Sequence, residues 1–285
     1  MSEQNQIALV IADAAARLKE ACIDEPRREA ASLLAFAIAK EAVFLLAHSE
    51  YSLTSAELES FHSIVERRAS HEPFHYIVGM KEFYGLGFGV VPGVLIPRPE
   101  TELLVEDAIN ILRELPAPRF FEIGVGSGCI SVSILHCSLL STAVAVDISE
   151  DALAVAAENA SRHYVTDRLI LNRGDVYGGI DGKFDLIVSN PPYIPDSDLV
   201  ALQPEVGYFE PHSALFGGDD GLDIVRRIIA GAPVFLNKGG HILVEIGFGQ
   251  AASVKEMFHT EIWSEVGFIR DLQGIERIVK AKVRI

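Results

Sequence analysis

Apolar and polar positions follow two different patterns along the chain, and the pattern changes near residue 70. Residues 6–70 consist of stretches rich in Ala, Leu and Glu, with few turn-forming residues. This pattern predicts a small helical bundle, with helices over residues 7–21, 26–39 and 55–69. Pro26 suits the first turn of the second helix, and Thr54 suits the N-cap of the third.

Shorter apolar runs take over after this helical part. Glycine-rich alternation from Phe83 to Pro97 predicts a β-hairpin that links two domains, and Pro99 favours a helix that begins there and runs through Leu112. Strands and helices then alternate, with strands predicted over residues 119–123, 143–147, 168–172, 184–189 and 241–245 and helices over 129–139, 150–162 and 221–230. Such alternation implies right-handed βαβ crossovers and a mostly parallel sheet.

The end of the chain has a different pattern. Residues 268–272 and 275–283 flank Gln273 and Gly274, which predicts a terminal antiparallel pair of strands. The fold class is therefore α/β with a small N-terminal helical bundle. We divide the chain into a helical domain (1–72), a linker with a hairpin (73–97) and an α/β domain (98–285).

Length, composition and charge limit the range of possible functions. With 285 residues, 49% of them hydrophobic, the chain is long enough for one large and one small domain. Acidic residues outnumber basic ones by 40 to 24, for a formal net charge of -16. This excess disfavours an unspecific grip on a nucleic-acid backbone and would suit a basic protein partner, although acidic surfaces commonly serve solubility alone.

The cysteines and the N-terminal residues indicate the cellular compartment of the protein. Cys22, Cys129 and Cys137 form no C-x-x-C pair, which argues against structural disulfides and a thiolate zinc site, and we predict no metal. Residues 1–5 lack a basic segment, and the apolar stretch over residues 30–39 is too short to span a bilayer. We expect a cytoplasmic protein that is a monomer and has no membrane partner.

A glycine-rich turn indicates the cofactor. An apolar strand runs into Gly124-Val125-Gly126-Ser127-Gly128 and then into a helix. A dinucleotide loop would place its third glycine at Cys129, and a carboxylate such as Glu122, just before the turn, repels a pyrophosphate but attracts an ammonium group. This favours S-adenosylmethionine over NAD, and a tight turn without any ligand is the alternative.

Two further acids follow the next strands. Asp147 ends its strand at about the distance from the glycines at which a ribose-binding carboxylate is found in this topology, so its two oxygens could accept both ribose hydroxyls. Asp175 could accept from the adenine amino group, with Val176 beside the ring. A Gly-Asp pair is a common turn by itself, but three such strand ends in this order are much stronger evidence.

The sequence Asn190-Pro191-Pro192-Tyr193 ends a buried-looking strand and carries the chemistry. Pro191 forces Asn190 into an extended conformation, and the prolines remove competing N–H donors. The Asn190 side-chain oxygen and the Pro191 carbonyl then form an acceptor pair that matches an NH₂ group on an sp² carbon, as in glutamine or adenine, with Tyr193 stacking on it. The alternative is a Pro-Pro loop that merely ends a strand.

With these motifs, the chain resembles the release factor glutamine methyltransferases, which methylate the N5 atom of glutamine. The resemblance covers nearly the whole chain and rests on the segments 26–30, 74–79, 95–102, 124–128, 190–193, 217–223 and 245–247. The Pro97-Arg98-Pro99 signature beside a helical domain is its most specific part, since the Asn190 motif also occurs in adenine-N6 and some guanine-N2 methyltransferases. Glu122 stands where the family more often has Asp.

The resemblance implies a Rossmann-like class I methyltransferase fold with a seven-stranded sheet, and a helical domain that recognises the substrate. It implies methyl transfer from S-adenosylmethionine, which leaves S-adenosylhomocysteine, to the glutamine in the Gly-Gly-Gln loop of class I peptide-chain release factors in translation termination. Residues Gly124 to Gly128, Asp147, Val176 and Asn190 would line the cofactor, and residues 190–193 would hold the glutamine. For Arg98 and Glu100, shaping the pocket and capping a helix are equally compatible with the sequence.

Two other functions compete with this one. A nucleic-acid adenine methyltransferase would use the same acceptor pair on a flipped base, but the anionic balance and the lack of a Lys/Arg-rich stretch weigh against it and against any stable nucleic-acid partner. A non-catalytic binding module would leave the intact glycine turn, Asp147 and Asn190 without a purpose.

Overall fold

The structure, a computed structural model, describes residues 5–284. Residues 1–4 and 285, at the outer ends of the predicted domains 1–72 and 98–285, lie outside the described residues. The chain forms two compact units. The helical unit contains residues 5–79 together with residues 203–209, and the sheet unit contains residues 80–202 and 210–284.

The helical unit is built around an apolar core. Its helices are α1 (Ile7–Glu20), α2 (Pro26–Ala37), α3 (Ala42–Ala47), α4 (Ser55–Ala69), α5 (Phe74–Val78) and, much later in the chain, α9 (Pro204–Phe209). Leu18, Leu33 and Phe61 are fully buried in this core. The three predicted helices are confirmed, and Thr54 caps α4 in a reciprocal pair with Glu57, whose carboxylate accepts from the Thr54 N–H at 2.8 Å. The short helices α3 and α5 were not predicted.

A buried arginine holds α9 in this unit. Arg68 is 6% exposed, and its guanidinium donates to Glu29 at 2.6 Å and to Glu205 on α9 at 3.0 Å. A cation so far from water needs such carboxylate partners, since an unpaired buried charge is strongly unfavourable. The ion pairs explain why a segment 137 residues further along the chain belongs to the helical unit.

The sheet unit follows the predicted alternation. Its strands are β1 (Met80–Phe83), β2 (Leu86–Gly89), β3 (Arg119–Ile123), β4 (Thr142–Asp147), β5 (Leu169–Arg173), β6 (Phe184–Ser189), β7 (Leu236–Glu245), β8 (Trp263–Arg270) and β9 (Glu276–Val283). Its α-helices are α6 (Glu102–Leu112), α7 (Cys129–Cys137), α8 (Glu150–Arg162), α10 (Asp223–Phe235) and α11 (Ala251–Glu256). A short 3₁₀ turn over Pro99–Thr101 precedes α6.

Seven of these strands form one sheet in the order β5-β4-β3-β6-β7-β9-β8. The first five are parallel, and β9 and β8 are antiparallel, which confirms the predicted seven-stranded sheet with a terminal antiparallel pair. Apolar clusters cover both faces of the sheet, with Phe121 and Ile187 in one and Phe120 and Leu186 in the other. Consecutive strand residues thus alternate between the two cores.

Several element boundaries differ from the prediction. The β1–β2 hairpin begins at Met80 and turns at Tyr84-Gly85, where both residues have positive φ (52° and 71°), as a two-residue hairpin turn requires. Gly87 and Gly89 lie inside β2 and do not interrupt it. The hairpin therefore begins and ends earlier in the chain than the predicted range from Phe83 to Pro97. Strand β7 begins at Leu236, whereas the prediction began it at residue 241. Its pairing with β6 continues across a register shift, from Leu236 opposite Phe184 to His241 opposite Leu186, so the glycines at positions 239 and 240 lie within the strand.

The order of the strands creates a crevice at one edge of the sheet. The chain passes from β3 to β4 on one side and later returns to β6 on the other side, which is the switch point where ligands bind in open α/β sheets. Among the described residues, no helix has both the length and the apolar character needed to cross a membrane.

Candidate active site

Strand register brings the predicted motifs together at this edge. Ile123, the last residue of β3, pairs with Val146 of β4 and with Ser189 of β6. Gly124 follows Ile123 in the chain, just as Asp147 follows Val146 and Asn190 follows Ser189. All three residues therefore lie at the carboxyl edge of the sheet. They line one cleft that encloses about 800 Å³ of space, open solvent included.

The glycine turn supplies the floor of this cleft. Gly124, Gly126 and Gly128 have φ values of 76°, 52° and 80°, which L side chains rarely adopt. Gly124 and Gly126 line the cleft, whereas a Cβ on Gly128 would lie 3.2 Å from Ala156 of α8. Gly128 therefore allows α7 and α8 to pack closely. Val125 and Ser127, also predicted to bind the cofactor, are buried at 2% exposure and do not line the cleft.

Asp147 is held in place by the backbone. One carboxylate oxygen accepts from the Gly126 N–H and the other from the Ser149 N–H, both at 2.9 Å. Each oxygen keeps further lone-pair capacity, and Asp147 lines the cleft. The arrangement fits a ligand that offers two adjacent hydroxyls.

Asp175 and Val176 lie further along the same cleft. The Asp175 carboxylate receives a hydrogen bond from Arg227 at 2.8 Å, in a largely exposed ion pair. Exposed pairs of this kind contribute little to stability, about 0–1 kcal/mol, so the carboxylate can exchange Arg227 for another donor. Val176 is 7% exposed and supplies an apolar wall.

Glu122, which the sequence predicts to bind the cofactor, does not line the cleft. Its carboxyl is fully buried, and one oxygen accepts from both the Ser131 N–H (3.0 Å) and the Ser131 hydroxyl. Its other oxygen, Oε1, has no hydrogen-bond partner among the described residues. Burial raises the pKa of Glu122 to about 8, against which the Ser131 bonds act only in part. Oε1 is thus left without a hydrogen-bond partner in the described part of the chain, and it carries the carboxyl proton when Glu122 is protonated, since both Ser131 donors point to the other oxygen.

Residues 190–193, here called the Asn190 corner, contribute another part of the cleft. Asn190 and Pro192 line the cleft, Pro191 is buried, and Tyr193 is half-buried beside them. The Asn190 Nδ2 donates to the Thr101 hydroxyl at 3.1 Å. The Tyr193 hydroxyl donates to Glu245 Oε1 at a long 3.4 Å, and burial together with the Glu245 charge raises the pKa of this phenol.

Sequence reasoning missed two residues that hold this corner. The Thr101 hydroxyl donates to Glu245 Oε2 at 2.7 Å, and these residues are 1% and 2% exposed. Burial raises the pKa of Glu245 to about 7, and the nearby Glu100 adds to the effect. Thr101 and Glu245 both lie in segments that carry the family resemblance, and this is the sequence signal that points to them.

A third missed residue, Glu210, joins two walls of the cleft. It is 4% exposed and accepts from Arg98 at 2.6 Å and from the Ile96 N–H at 3.2 Å. The cleft is lined on one side by residues 93–95, just before Ile96, and on the other by residues 211, 213 and 214, just after Glu210. Of the two roles considered for Arg98, shaping the pocket wall is therefore the one that its contacts support.

The chain is similar to two protein families and to several known methyltransferases. Residues 10–79 match the family model of the PrmC N-terminal domain, and residues 100–202 match that of the methyltransferase small domain. The release factor glutamine methyltransferase of Geobacter sulfurreducens is 44% identical over 268 residues, which is 93% of each chain. That of Nitratidesulfovibrio vulgaris is 41% identical and covers 93% of this chain and 91% of its own.

One solved structure illustrates the shared fold. The 16S rRNA N2 G1207 methyltransferase of T. thermophilus, in complex with AdoMet and guanosine, superposes with a TM-score of 0.52 at 16% identity. The match covers 72% of this chain and 50% of that one. At this identity the likeness establishes a methyltransferase-like Rossmann fold.

Proposed function

Because this chain belongs to the release factor glutamine methyltransferase family, we propose that it methylates the side-chain amide nitrogen of the glutamine in the Gly-Gly-Gln loop of class I peptide-chain release factors. The methyl donor is S-adenosylmethionine, and the product is N5-methylglutamine. The observation that carries the proposal is the placement of Asn190 in the same cleft as Asp147 and Gly124. An acceptor for a planar NH₂ group would thus lie beside the space that a methyl donor would fill.

The residues of the cleft fit this donor. Asp147 offers two carboxylate oxygens to the ribose hydroxyls, and the Gly124 and Gly126 backbone allows a close approach of the ligand. Glu122 does not line the cleft, and its unpartnered Oε1 would accept from an ammonium group, which a dinucleotide lacks, once that cation displaces the proton that burial keeps on this carboxyl. When bound, S-adenosylmethionine supplies an electrophilic methyl group on a sulfonium. The T. thermophilus enzyme of the same fold has AdoMet bound, which supports this choice.

The Asn190 corner would prepare a poor nucleophile. The amide nitrogen of glutamine is unreactive because its lone pair is delocalised into the carbonyl. The Asn190 side-chain oxygen and the Pro191 carbonyl would accept its two N–H bonds, hold it in line with the methyl group and favour the pyramidal, more positive nitrogen of the transition state. Tyr193 would stack on the amide. No strong general base is needed if the proton leaves after the transfer.

The helical domain is our candidate for gripping the release factor outside the glutamine loop. Residues 10–79 match a domain that is characteristic of the family. Deleting residues 1–72 should weaken the apparent affinity for the release factor far more than the affinity for the cofactor. Calorimetric titration of both ligands measures this difference, and an unchanged affinity for the release factor would disprove the assignment.

Incubation with labelled S-adenosylmethionine tests the activity. Purified class I release factor and duplex DNA are offered in separate reactions. Label on the release factor, mapped by tandem mass spectrometry to the glutamine of the Gly-Gly-Gln loop, is the expected result. A release factor whose loop glutamine is replaced by alanine is the matched control and should stay unlabelled. Label in the DNA alone would refute the proposal in favour of adenine methylation.

A further inference from the structure

A buried chain of hydrogen bonds runs from Glu245 through Thr101 to Asn190. Glu245 Oε2 accepts from the Thr101 hydroxyl at 2.7 Å, and the Thr101 oxygen accepts from Asn190 Nδ2 at 3.1 Å. The three residues come from the end of β7, the start of α6 and the end of β6. Thr101 and Glu245 are shielded from water, at 1% and 2% exposure, so water does not compete for these bonds.

Counting protons along this chain determines which way the Asn190 amide faces. A threonine hydroxyl has one proton, and an ionised carboxylate can only accept. The Thr101 proton therefore points to Glu245, which leaves the Thr101 oxygen as an acceptor. Only the NH₂ end of Asn190 can satisfy that acceptor, so the amide oxygen is directed away from Thr101. An asparagine turned the other way would place its NH₂ group in the cleft, where it would oppose the NH₂ group of the substrate.

We propose that Glu245, acting through Thr101, is a positioning residue that keeps the amide oxygen of Asn190 turned toward the substrate. The inference rests on the proposed function, since it assumes that Asn190 accepts a hydrogen bond from the substrate NH₂. Glu245 also accepts from the Tyr193 hydroxyl through its other oxygen, at 3.4 Å. One buried carboxylate thus orients two side chains of the Asn190 corner.

The ionisation state of Glu245 determines which way the Asn190 amide is turned. Burial and the neighbouring Glu100 raise the pKa of Glu245 to about 7, while the bonds from Thr101 and Tyr193 and the charge of Arg277 lower it. When Glu245 is protonated on Oε2, it can donate to Thr101, and the Thr101 proton is then free to bond the oxygen of a turned Asn190. The competent orientation therefore requires the ionised form. The transfer rate should rise with pH through about 7 and level off above it.

Two substitutions test the chain of bonds while leaving its surroundings in place. Thr101→Val removes the hydroxyl at almost constant volume, and Glu245→Gln removes the ionisable carboxyl while keeping an amide oxygen that can accept from Thr101. Thr101→Val should slow single-turnover transfer to the release factor about 100-fold, which is the effect of losing one preorganised hydrogen-bonding group in an active site. The rate of Glu245→Gln should lose the rise with pH near neutrality.

Three controls separate positioning from packing. Thr101→Ser retains the hydroxyl and should recover most of the rate that Thr101→Val loses. Ser133→Ala removes another fully buried hydroxyl, on α7 and outside this chain of bonds, and should match the wild-type rate. Cofactor affinity, measured by calorimetry, should stay within about threefold of wild type in every variant, because such a change is under 1 kcal/mol.

The possible results distinguish the two proposals. If Thr101→Val transfers within threefold of wild type, if Thr101→Ser is as slow as Thr101→Val, or if Glu245→Gln keeps the rise with pH, then the chain of bonds does not position Asn190 and only the present inference is wrong. If the wild-type protein itself leaves the release factor unlabelled while it binds the cofactor, the proposed function fails, and the positioning role for this substrate fails with it.

Discussion

The buried Glu122 carboxyl should make the protein less stable as the pH rises from 5 to 7. The folded chain holds this proton up to a pKa of about 8, whereas the ordinary value of 4.5 applies once the chain unfolds. Between these values the native state binds the extra proton, so the free energy of unfolding falls with increasing pH. One bound proton corresponds to about 1.4 kcal/mol per pH unit, which gives a loss of about 3 kcal/mol over two units.

Glu122→Gln removes this titration and keeps most of the contacts. The amide oxygen can still accept from the Ser131 N–H and hydroxyl, and the NH₂ group takes the place of the unpartnered Oε1. At pH 5, Gln and the protonated Glu are similar, so the two proteins should differ little in stability. By pH 7 the variant should have gained about 3 kcal/mol relative to wild type, because only the wild type is penalised for keeping Glu122 protonated.

Urea unfolding at pH 5, 6 and 7, followed by circular dichroism, measures this difference. Glu245 also titrates in both proteins, but its contribution cancels when the variant is compared with wild type at each pH. Glu158→Gln, at an exposed position on α8, is the control and should give the same small difference at every pH. A difference for Glu122→Gln that stays constant from pH 5 to 7 would show that Glu122 is ionised in the folded protein and would refute this reasoning.

Three other substitutions test the walls of the cleft. Asp147→Asn should weaken cofactor binding about 10- to 100-fold, since a hydrogen bond to a charged group contributes about 1.5–3 kcal/mol; calorimetry that finds unchanged affinity would contradict the ribose contact. Arg98→Ala leaves the buried Glu210 without its cation and should lower the free energy of unfolding by about 3 kcal/mol, with Arg98→Lys in between. Gly128→Ala places a Cβ at a φ of 80° and should cost about 1–2 kcal/mol in the same urea assay, and a neutral effect would argue against close packing of α7 on α8.

The sequence predicted the parts of the fold that depend on local pattern. The alternation of strands and helices implied a parallel sheet, and parallel strands bring the residues at their carboxyl ends to one edge. Gly124, Asp147 and Asn190 could therefore be expected to meet, and they line one cleft. The helix α8 also follows from its own sequence and has the predicted bounds.

The contacts that complete the site could not be predicted in this way. The partners of Glu245 and Asn190 at Thr101, and of Glu210 at Arg98, are 89 to 144 residues distant in the sequence, and nothing in the local pattern indicates the pairing. Glu102 illustrates the same limit. Its charge suits a helix N-terminus, yet its carboxylate accepts from the Tyr84 N–H of the β1–β2 turn at 2.9 Å.

Replacing Asn190 with alanine is the most direct measurement of the claim that an asparagine–proline corner prepares the substrate amide for methylation. Transfer to the release-factor glutamine by Asn190→Ala should fall to background in a single-turnover assay. Cofactor affinity should stay within about tenfold of wild type, which is 1.4 kcal/mol. A variant that binds the cofactor and keeps most of its turnover would show that the corner does not supply the essential acceptor.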